Sequence, residues 1–204
     1  MKKIALCPAR MGRPREFDVE RALDAAMRVF WTKGYEGTTL TDLTDATGVS
    51  RPSLYSAFGN KEALFKKALD RYAREKLAFI DRAIEAPTAR EVAEDLLHGM
   101  LDRLADERDP KGCMGVINSV ACGDEAEPIR ADILARTLAI KAALIARFER
   151  AREEGDLPEQ VEPAAITTYL MAILQGMALQ SGNGAPTEEL GSLVTSSLAL
   201  WPKA

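Results

Sequence analysis

Four side chains between residues 51 and 56 are of types that can recognise nucleic acid bases. Arg51 can donate two hydrogen bonds at once to the O6 and N7 atoms of a guanine. Ser53, Tyr55 and Ser56 carry hydroxyl groups, which can meet bases or phosphates. Because Leu54 is apolar and would face a core, a helix through this segment turns Arg51 and the two serines outward.

The flanking residues offer groups that bind phosphate and a turn that joins two helices. Free backbone N–H groups follow the candidate caps Thr39 and Asn60, and Lys61 adds a positive charge. The glycine at position 48 separates two short helical patterns within residues 38–61. This spacing predicts a helix-turn-helix, in which the second helix enters the major groove. An ordinary helical hairpin with a solvated face is the alternative.

A short basic segment precedes the first predicted helix. Arg13 and Arg15 flank a proline there, and an extended arginine-bearing arm of this kind can lie in a narrow minor groove. The alternative is a segment that only improves solubility. Residues 1–12 are expected to form a flexible tail.

The thiols and the one histidine are the candidates for covalent or acid–base chemistry. Cys113 opens a short predicted helix just after Lys111, a position that can lower a thiol pKa, although a buried structural cysteine is the alternative. His98 falls on the charged face of its helix, where we expect it to be solvated. No base is placed beside a nucleophile, and no glycine-rich phosphate loop or metal-ligand spacing is present. We therefore expect no enzyme, no metal site and no cofactor.

The composition is that of a folded, water-soluble protein with two differently charged parts. The chain has 204 residues, 47% hydrophobic and 28% charged, with a net charge of −4. Residues 1–72 carry 13 Lys and Arg against 9 Asp and Glu, whereas the remainder carries 14 against 22. Nine of the twelve aromatic residues lie in the first 79 positions, which predicts a compact aromatic core followed by a larger aliphatic one. The three cysteines fit a reducing cytoplasm, and no signal peptide or membrane span is expected.

Helical periodicity and caps predict an all-α fold of nine helices. The predicted order is a helix from Asp18 to Gly34, one from Thr39 to Ala46, one from Ser50, one from Asn60 to about Glu85, one from Thr88 through Leu104, one from Cys113 to about Cys122, one from about Glu125 to Glu153, one from Pro163 to about Ser181, and one capped by Thr187.

The order of motifs from Phe17 to the GYEGTTLTDLTDATGVSRPSLYSAFGNKEALF segment resembles the DNA-binding domain of the TetR family of bacterial transcriptional regulators. The resemblance covers roughly residues 13–65 and implies a three-helix DNA-binding head on an α-helical body. By this resemblance, the recognition-helix contacts are Arg51, Pro52, Ser53, Tyr55 and Ser56, and the DNA-backbone contacts are Thr38, Thr39 and Lys61. Two residues depart from the pattern: Ala57 stands where many members have a phosphate-contacting histidine, and Thr44 replaces a small alanine.

The resemblance also implies the domain organisation and the partners. Residues 13–60 would form the DNA-binding domain, and residues 61–204 a body for ligand binding and dimerisation, with the helix from residue 61 bridging the two. The last two helices of each subunit would form a four-helix bundle across a two-fold axis, which predicts a palindromic operator. The residues expected to divide between the chain's own core and this interface are Ile166, Leu170, Ile173, Leu174, Met177, Leu190, Val194, Leu198 and Trp201.

A pocket for an unknown small-molecule effector is expected between the fourth and eighth predicted helices. The side chains expected to line it, apolar or able to hydrogen-bond a ligand, are Met100, Cys113, Met114, Asn118, Tyr169 and Gln175. The sequence thus predicts a cytoplasmic, homodimeric, ligand-responsive DNA-binding repressor with no membrane partner. Two alternatives remain: a thiol-based electrophile or redox sensor acting through Cys113, and an interaction protein with a vestigial DNA head.

Overall fold

The computed structural model describes residues 17–120 and 123–202. Within these ranges the fold is helical and contains no strand. The helices are α1 (Val19–Gly37), α2 (Leu40–Thr47), α3 (Arg51–Phe58), α4 (Lys61–Lys76), α5 (Ala78–Ile84), α6 (Ala89–Ala105), α7 (Met114–Ser119), α8 (Glu127–Glu153), α9 (Pro163–Gly182) and α10 (Thr187–Ala199), with a 3₁₀ turn at Asp124–Ala126 before α8. The all-α prediction is confirmed.

Side-chain caps set four of the ten α-helix starts among the described residues. The Asp18 carboxylate accepts hydrogen bonds from two first-turn amides of α1. Thr39 with Asp42, and Thr88 with Glu91, form the two predicted capping boxes. Asn60 accepts from the third residue of α4, so each of these starts follows from nearby side chains.

Three boundaries differ from the prediction. The helix expected from Asn60 to Glu85 breaks at Leu77, because α5 turns to pack on α6, where Phe79 lies against Gly99. The first helix does not stop at Gly34: the chain bends there and continues to Gly37. Pro186, not Thr187, occupies the N-cap position of α10.

Two hydrophobic clusters form, as predicted, but the first is not confined to the head. Phe30, Trp31 and Phe65 make its aromatic centre, and Met114 and Ile129 join it from the body. The second cluster is mainly aliphatic and lies among α5, α6, α8, α9 and α10. The head therefore shares buried apolar surface with the body, and a shift of α7 would disturb the head core.

No helix among the described residues is long and apolar enough to cross a membrane. The uncharged stretch of residues 163–187 includes the whole of α9, which buries one face against α6 and α8.

Candidate DNA-binding surface and effector cavity

The short helix α3 presents a polar face to solvent. Leu54 and Phe58 are buried and fix the helix on the head, so Arg51, Ser53 and Ser56 are exposed. This exposure of the polar face is the one predicted for a recognition helix.

Local contacts hold the polar face of α3 in place. The guanidinium of Arg51 lies 5.6 Å from the centre of the half-buried Tyr55 ring, which orients it by a cation–π contact. Ser50 is the N-cap of α3 without a side-chain cap bond, and its hydroxyl instead donates to that of Ser53 over 3.1 Å. Pro52 occupies the first turn and is exposed.

The expected phosphate contacts differ in exposure. Thr39 is exposed and Lys61 is partly exposed, so solvent reaches both. Thr38 is 1% exposed, and its hydroxyl donates to the carbonyl of Gly34 over 2.6 Å. A buried, hydrogen-bonded side chain cannot also meet a phosphate, so the expected Thr38 contact is corrected to a structural role. The basic arm with Arg13 and Arg15 lies outside the described residues.

A carboxylate near this surface is paired with a lysine. Asp42 accepts a 2.5 Å hydrogen bond from Lys33 and two bonds from Thr39, which together lower its pKa from 3.8 to about 2. The Asp42 carboxylate therefore stays charged at neutral pH, with Lys33 beside it to offset its repulsion of DNA phosphate.

Helices α4 to α9 enclose a cavity of about 370 Å³ with mostly apolar walls. Met100, Cys113 and Gln175 line it, as expected. Met114 and Asn118 do not line it, because α7 turns both of them towards the head.

Tyr169 is also not part of the cavity wall, because it lies on the outer face of α9, where it is 37% exposed. Leu174, expected near the dimer interface, instead lines the cavity.

The cation at the cavity wall, Arg136, is paired within the chain, and the carboxylate of the wall, Asp81, is exposed. The Arg136 guanidinium donates to Asp70 over 2.6 Å and to Asp132 over 3.0 Å. Desolvation lowers the pKa of Arg136, but these two carboxylates outweigh it and raise the pKa, so the side chain stays charged. Since the cation has its anions within the chain, the mostly apolar wall offers no unpaired cation to an anionic ligand.

The Cys113 thiol is buried at the N-cap of α7. The Tyr72 hydroxyl donates a 3.2 Å hydrogen bond to its sulfur, and burial, followed by the neighbouring thiol, raises the pKa of Tyr72 well above its usual value. A thiol that is buried and paired in this way does not favour the electrophile-sensing alternative. Cys122 lies outside the described residues.

No catalytic or metal arrangement emerges in the parts of the chain that the structure describes. His98 is exposed, with Nδ1 2.9 Å from the carbonyl of Glu94 on the same helix. Among residues 17–120 and 123–202, no three His, Cys, Asp or Glu side chains are close enough to hold a metal ion.

The residues expected at the dimer interface divide into two groups. Six are almost fully buried within the single chain and so have no surface left for a partner; they are Leu170, Leu174, Met177, Leu190, Val194 and Trp201. The other three, Ile166, Ile173 and Leu198, are half-buried. The outer face of α9 instead exposes Tyr169, Ala172 and Leu179, and it carries no charge. The six buried residues thus belong to the chain's own core, as part of the set was expected to, and the dimer interface stays a prediction.

Comparisons with known proteins agree with this architecture. Residues 22–68 match the bacterial regulatory proteins of the tetR family, and residues 93–188 match the tetracyclin repressor-like C-terminal domain. The chain is 32% identical over 195 residues to the HTH-type transcriptional repressor ComR of Escherichia coli (strain K12), covering 94% of this chain and 92% of that protein. It is 27% identical over 180 residues to the HTH-type transcriptional repressor BdcR of the same organism, covering 88% and 86%.

A solved structure resembles the whole fold. It is that of a cysteine mutant of the TetR family transcriptional regulator CifR in complex with 26-bp double-strand operator DNA. It is 35% identical, with a TM-score of 0.87, and the match covers 94% of this chain and 100% of that one. The exposed recognition helix, the two family matches and these relatives agree: the chain belongs to the TetR family of bacterial transcriptional regulators, and it is a DNA-binding regulator and not an enzyme.

Proposed function

We propose that the protein is a repressor that binds a palindromic operator as a two-fold homodimer and is released by a small-molecule effector. The observation that carries this proposal is the exposed polar face of α3. Arg51 begins this helix, and Ser53 and Ser56 are exposed further along it. Arg51 would read a guanine in the major groove, and Pro52 and Tyr55 would complete the contact surface. The CifR relative was solved on operator DNA, which supports this use of the head.

Phosphate contacts would fix the head on the duplex. Thr39 and Lys61 mark the starts of α2 and α4, where helix N-termini point at the DNA backbone. Arg13 and Arg15 would extend into the adjacent minor groove. The charges of Lys61, Arg13 and Arg15 would each make the affinity for DNA fall more steeply as salt concentration rises.

Dimerisation would use the outer face of α9 with the half-buried Ile166 and Ile173 beside it, together with the half-buried Leu198 of α10. The exposed Tyr169 and Leu179 provide apolar contact area, and no charged residue within positions 163–187 opposes burial. An isologous interface across α9 places two recognition helices on half-sites of one duplex.

The effector would occupy the α4–α9 cavity, with Met100, Cys113 and Gln175 in contact with it. The walls fit an uncharged, mainly apolar compound, since Arg136 is already paired. Operator and effector must then weaken each other's binding by the same factor. The protein would act in the bacterial cytoplasm, on the nucleoid when it is bound to its operator.

Selection of bound sequences from a random duplex pool at near-physiological salt tests this proposal. We expect enrichment of a palindrome with two half-sites about 34–36 Å apart, or at a related spacing. Enrichment of no sequence, with binding that disappears as salt rises, would reject operator recognition and would leave the head with phosphate contacts alone.

A further inference from the structure

The bend in α1 is held by a side chain from the body. Gly34 has φ 71° and ψ 171°, a conformation outside the helical range that glycine adopts readily. The next amide, that of Tyr35, donates a 2.5 Å hydrogen bond to Oδ1 of Asn118 in α7. Asn118 is 1% exposed, and its Nδ2 donates to the carbonyl of Met114 over 2.8 Å. Both ends of this buried amide are therefore fixed.

The bend sets the position of the groups that would meet phosphate. The Gly34 carbonyl accepts from the Thr38 hydroxyl over 2.6 Å, and the Thr38 amide donates to the Tyr35 carbonyl over 3.4 Å. Thr39, the N-cap of α2, follows directly. The Nζ of Lys61 lies 4.5 Å from the centre of the Tyr35 ring. Movement of the bend would therefore displace both the start of α2 and the Lys61 ammonium.

The other side of α7 is a wall of the cavity. Gly115, Val116 and Ser119 line the cavity, and Asn118 lies between them in the sequence but faces α1. Since α7 spans only six residues, its two sides cannot move independently. A second contact, from the Gly123 amide to Glu36 over 2.7 Å, joins the chain after α7 to the end of α1.

We propose that Asn118 is a positioning residue for DNA binding, which holds the Gly34–Tyr35 peptide and through it places Thr39 and Lys61 on the phosphate backbone. Asn118 belongs to α7, whose other side lines the cavity, so a shift of α7 reaches these contacts through Asn118. The proposal rests on the assignment of Lys61 as a phosphate contact, which is tested separately below.

The experiment measures operator affinity against salt concentration for four variants of the full chain, using the operator obtained by selection. Asn118→Ala removes the acceptor of the Tyr35 amide, and Lys61→Ala removes the charge. Trp31→Phe is the matched control, because the Trp31 indole also donates across the head–body contact, to the Gly112 carbonyl over 3.2 Å, and this hydrogen bond does not involve Gly34 or Tyr35. The double variant of Asn118 and Lys61 completes a thermodynamic cycle.

We expect Asn118→Ala to weaken binding about tenfold and to reduce the slope of log K against log salt by up to about 0.9 per protomer, as Lys61→Ala does. The double variant loses less than the sum of the two single losses, because the Lys61 contact that Asn118 positions can be lost only once. Trp31→Phe lowers the free energy of unfolding but keeps the wild-type slope. Asn118→Ser, in which a water can fill the vacated volume, takes the place of Asn118→Ala should that chain fail to fold.

Two results separate the possible failures. If Lys61→Ala keeps the wild-type slope of log K against log salt, Lys61 does not contact phosphate, and the basis of the proposal is lost. A reduced slope for Lys61→Ala together with a wild-type slope for the Asn118 variant, or additive losses in the double variant, would overturn the positioning role itself.

Discussion

Arg51 is the first residue of α3, and its guanidinium rests on the ring of Tyr55. We expect Arg51→Ala to cost about 1–3 kcal/mol of binding free energy on the cognate operator and to relax base preference at one position of each half-site. Binding-site selection with the variant measures both effects. Arg74→Ala removes an equally charged, exposed side chain from α4 and should leave the preference unchanged. An unaltered preference in Arg51→Ala would exclude this arginine as a base reader.

Asp42 makes the stability of the head depend on pH in the acid range. Hydrogen bonds from Lys33 and Thr39 lower its pKa from 3.8 to about 2, so its contribution to stability is complete above about pH 4 and is lost as pH falls towards 2. Thermal unfolding of Asp42→Asn should therefore differ from that of the wild type at pH 5, and the difference should shrink by pH 2. Asp45→Asn controls for removing a negative charge from α2. A difference for Asp42→Asn that stays constant over this range would contradict the paired carboxylate.

Single residues were predictable from sequence where their partners are close in the chain. The Thr39–Asp42 and Thr88–Glu91 boxes need a spacing of three residues, which the sequence displays. Asn118 was expected in the ligand pocket, yet its partner, the Tyr35 amide, is 83 positions away. No local signal distinguishes an asparagine that holds a distant backbone amide from one that faces a cavity.

At the scale of elements, the crossing of α5 and α6 depends on one glycine. A Cβ at Gly99 would lie 2.5 Å from Cδ2 of Phe79 and 3.0 Å from its Cβ, so the two helices would have to separate. We expect Gly99→Ala to lower the free energy of unfolding by about 1–3 kcal/mol, as measured by denaturant titration.

Gly191→Ala in α10 is the matched control for this crossing. Its added Cβ would meet Leu101 at an ordinary 3.8 Å. The free energy of unfolding should therefore rise by about 0.5–1 kcal/mol, the usual gain from replacing glycine within a helix. Equal stability of the two variants would show that α5 and α6 are not as close as described.

Helix positions could largely be predicted, but the faces that helices bury could not. Residues 163–187 carry no charge, which predicts burial on two sides but does not say which residues face the chain's own core. The structure places Leu170, Leu174 and Met177 inward and Leu179 outward. No glycine or proline at Leu77 predicts the helix break there. The break follows from the packing of Phe79 on α6, which is a tertiary contact.

At the scale of the whole molecule, the outer face of α9 should decide the oligomeric state. Leu179 and Leu138 are comparably exposed, at 58% and 54%, but only Leu179 belongs to that face. We expect Leu179→Glu to produce monomers in analytical ultracentrifugation and to weaken operator binding, since a buried carboxylate without a partner opposes association. Leu138→Glu on α8 should remain dimeric. Dissociation by the α8 variant and not by the α9 variant would place the interface elsewhere.

The central claim is that two heads on one two-fold dimer read one palindrome. Titration of the protein onto the selected operator, and onto a duplex of the same length with one half-site scrambled, tests it most directly. The account predicts two protomers per intact operator and an affinity at least about a hundredfold weaker on the single half-site, because each half-site contributes its own base and phosphate contacts. Equal affinity for the two duplexes, with one protomer bound to each, would contradict it.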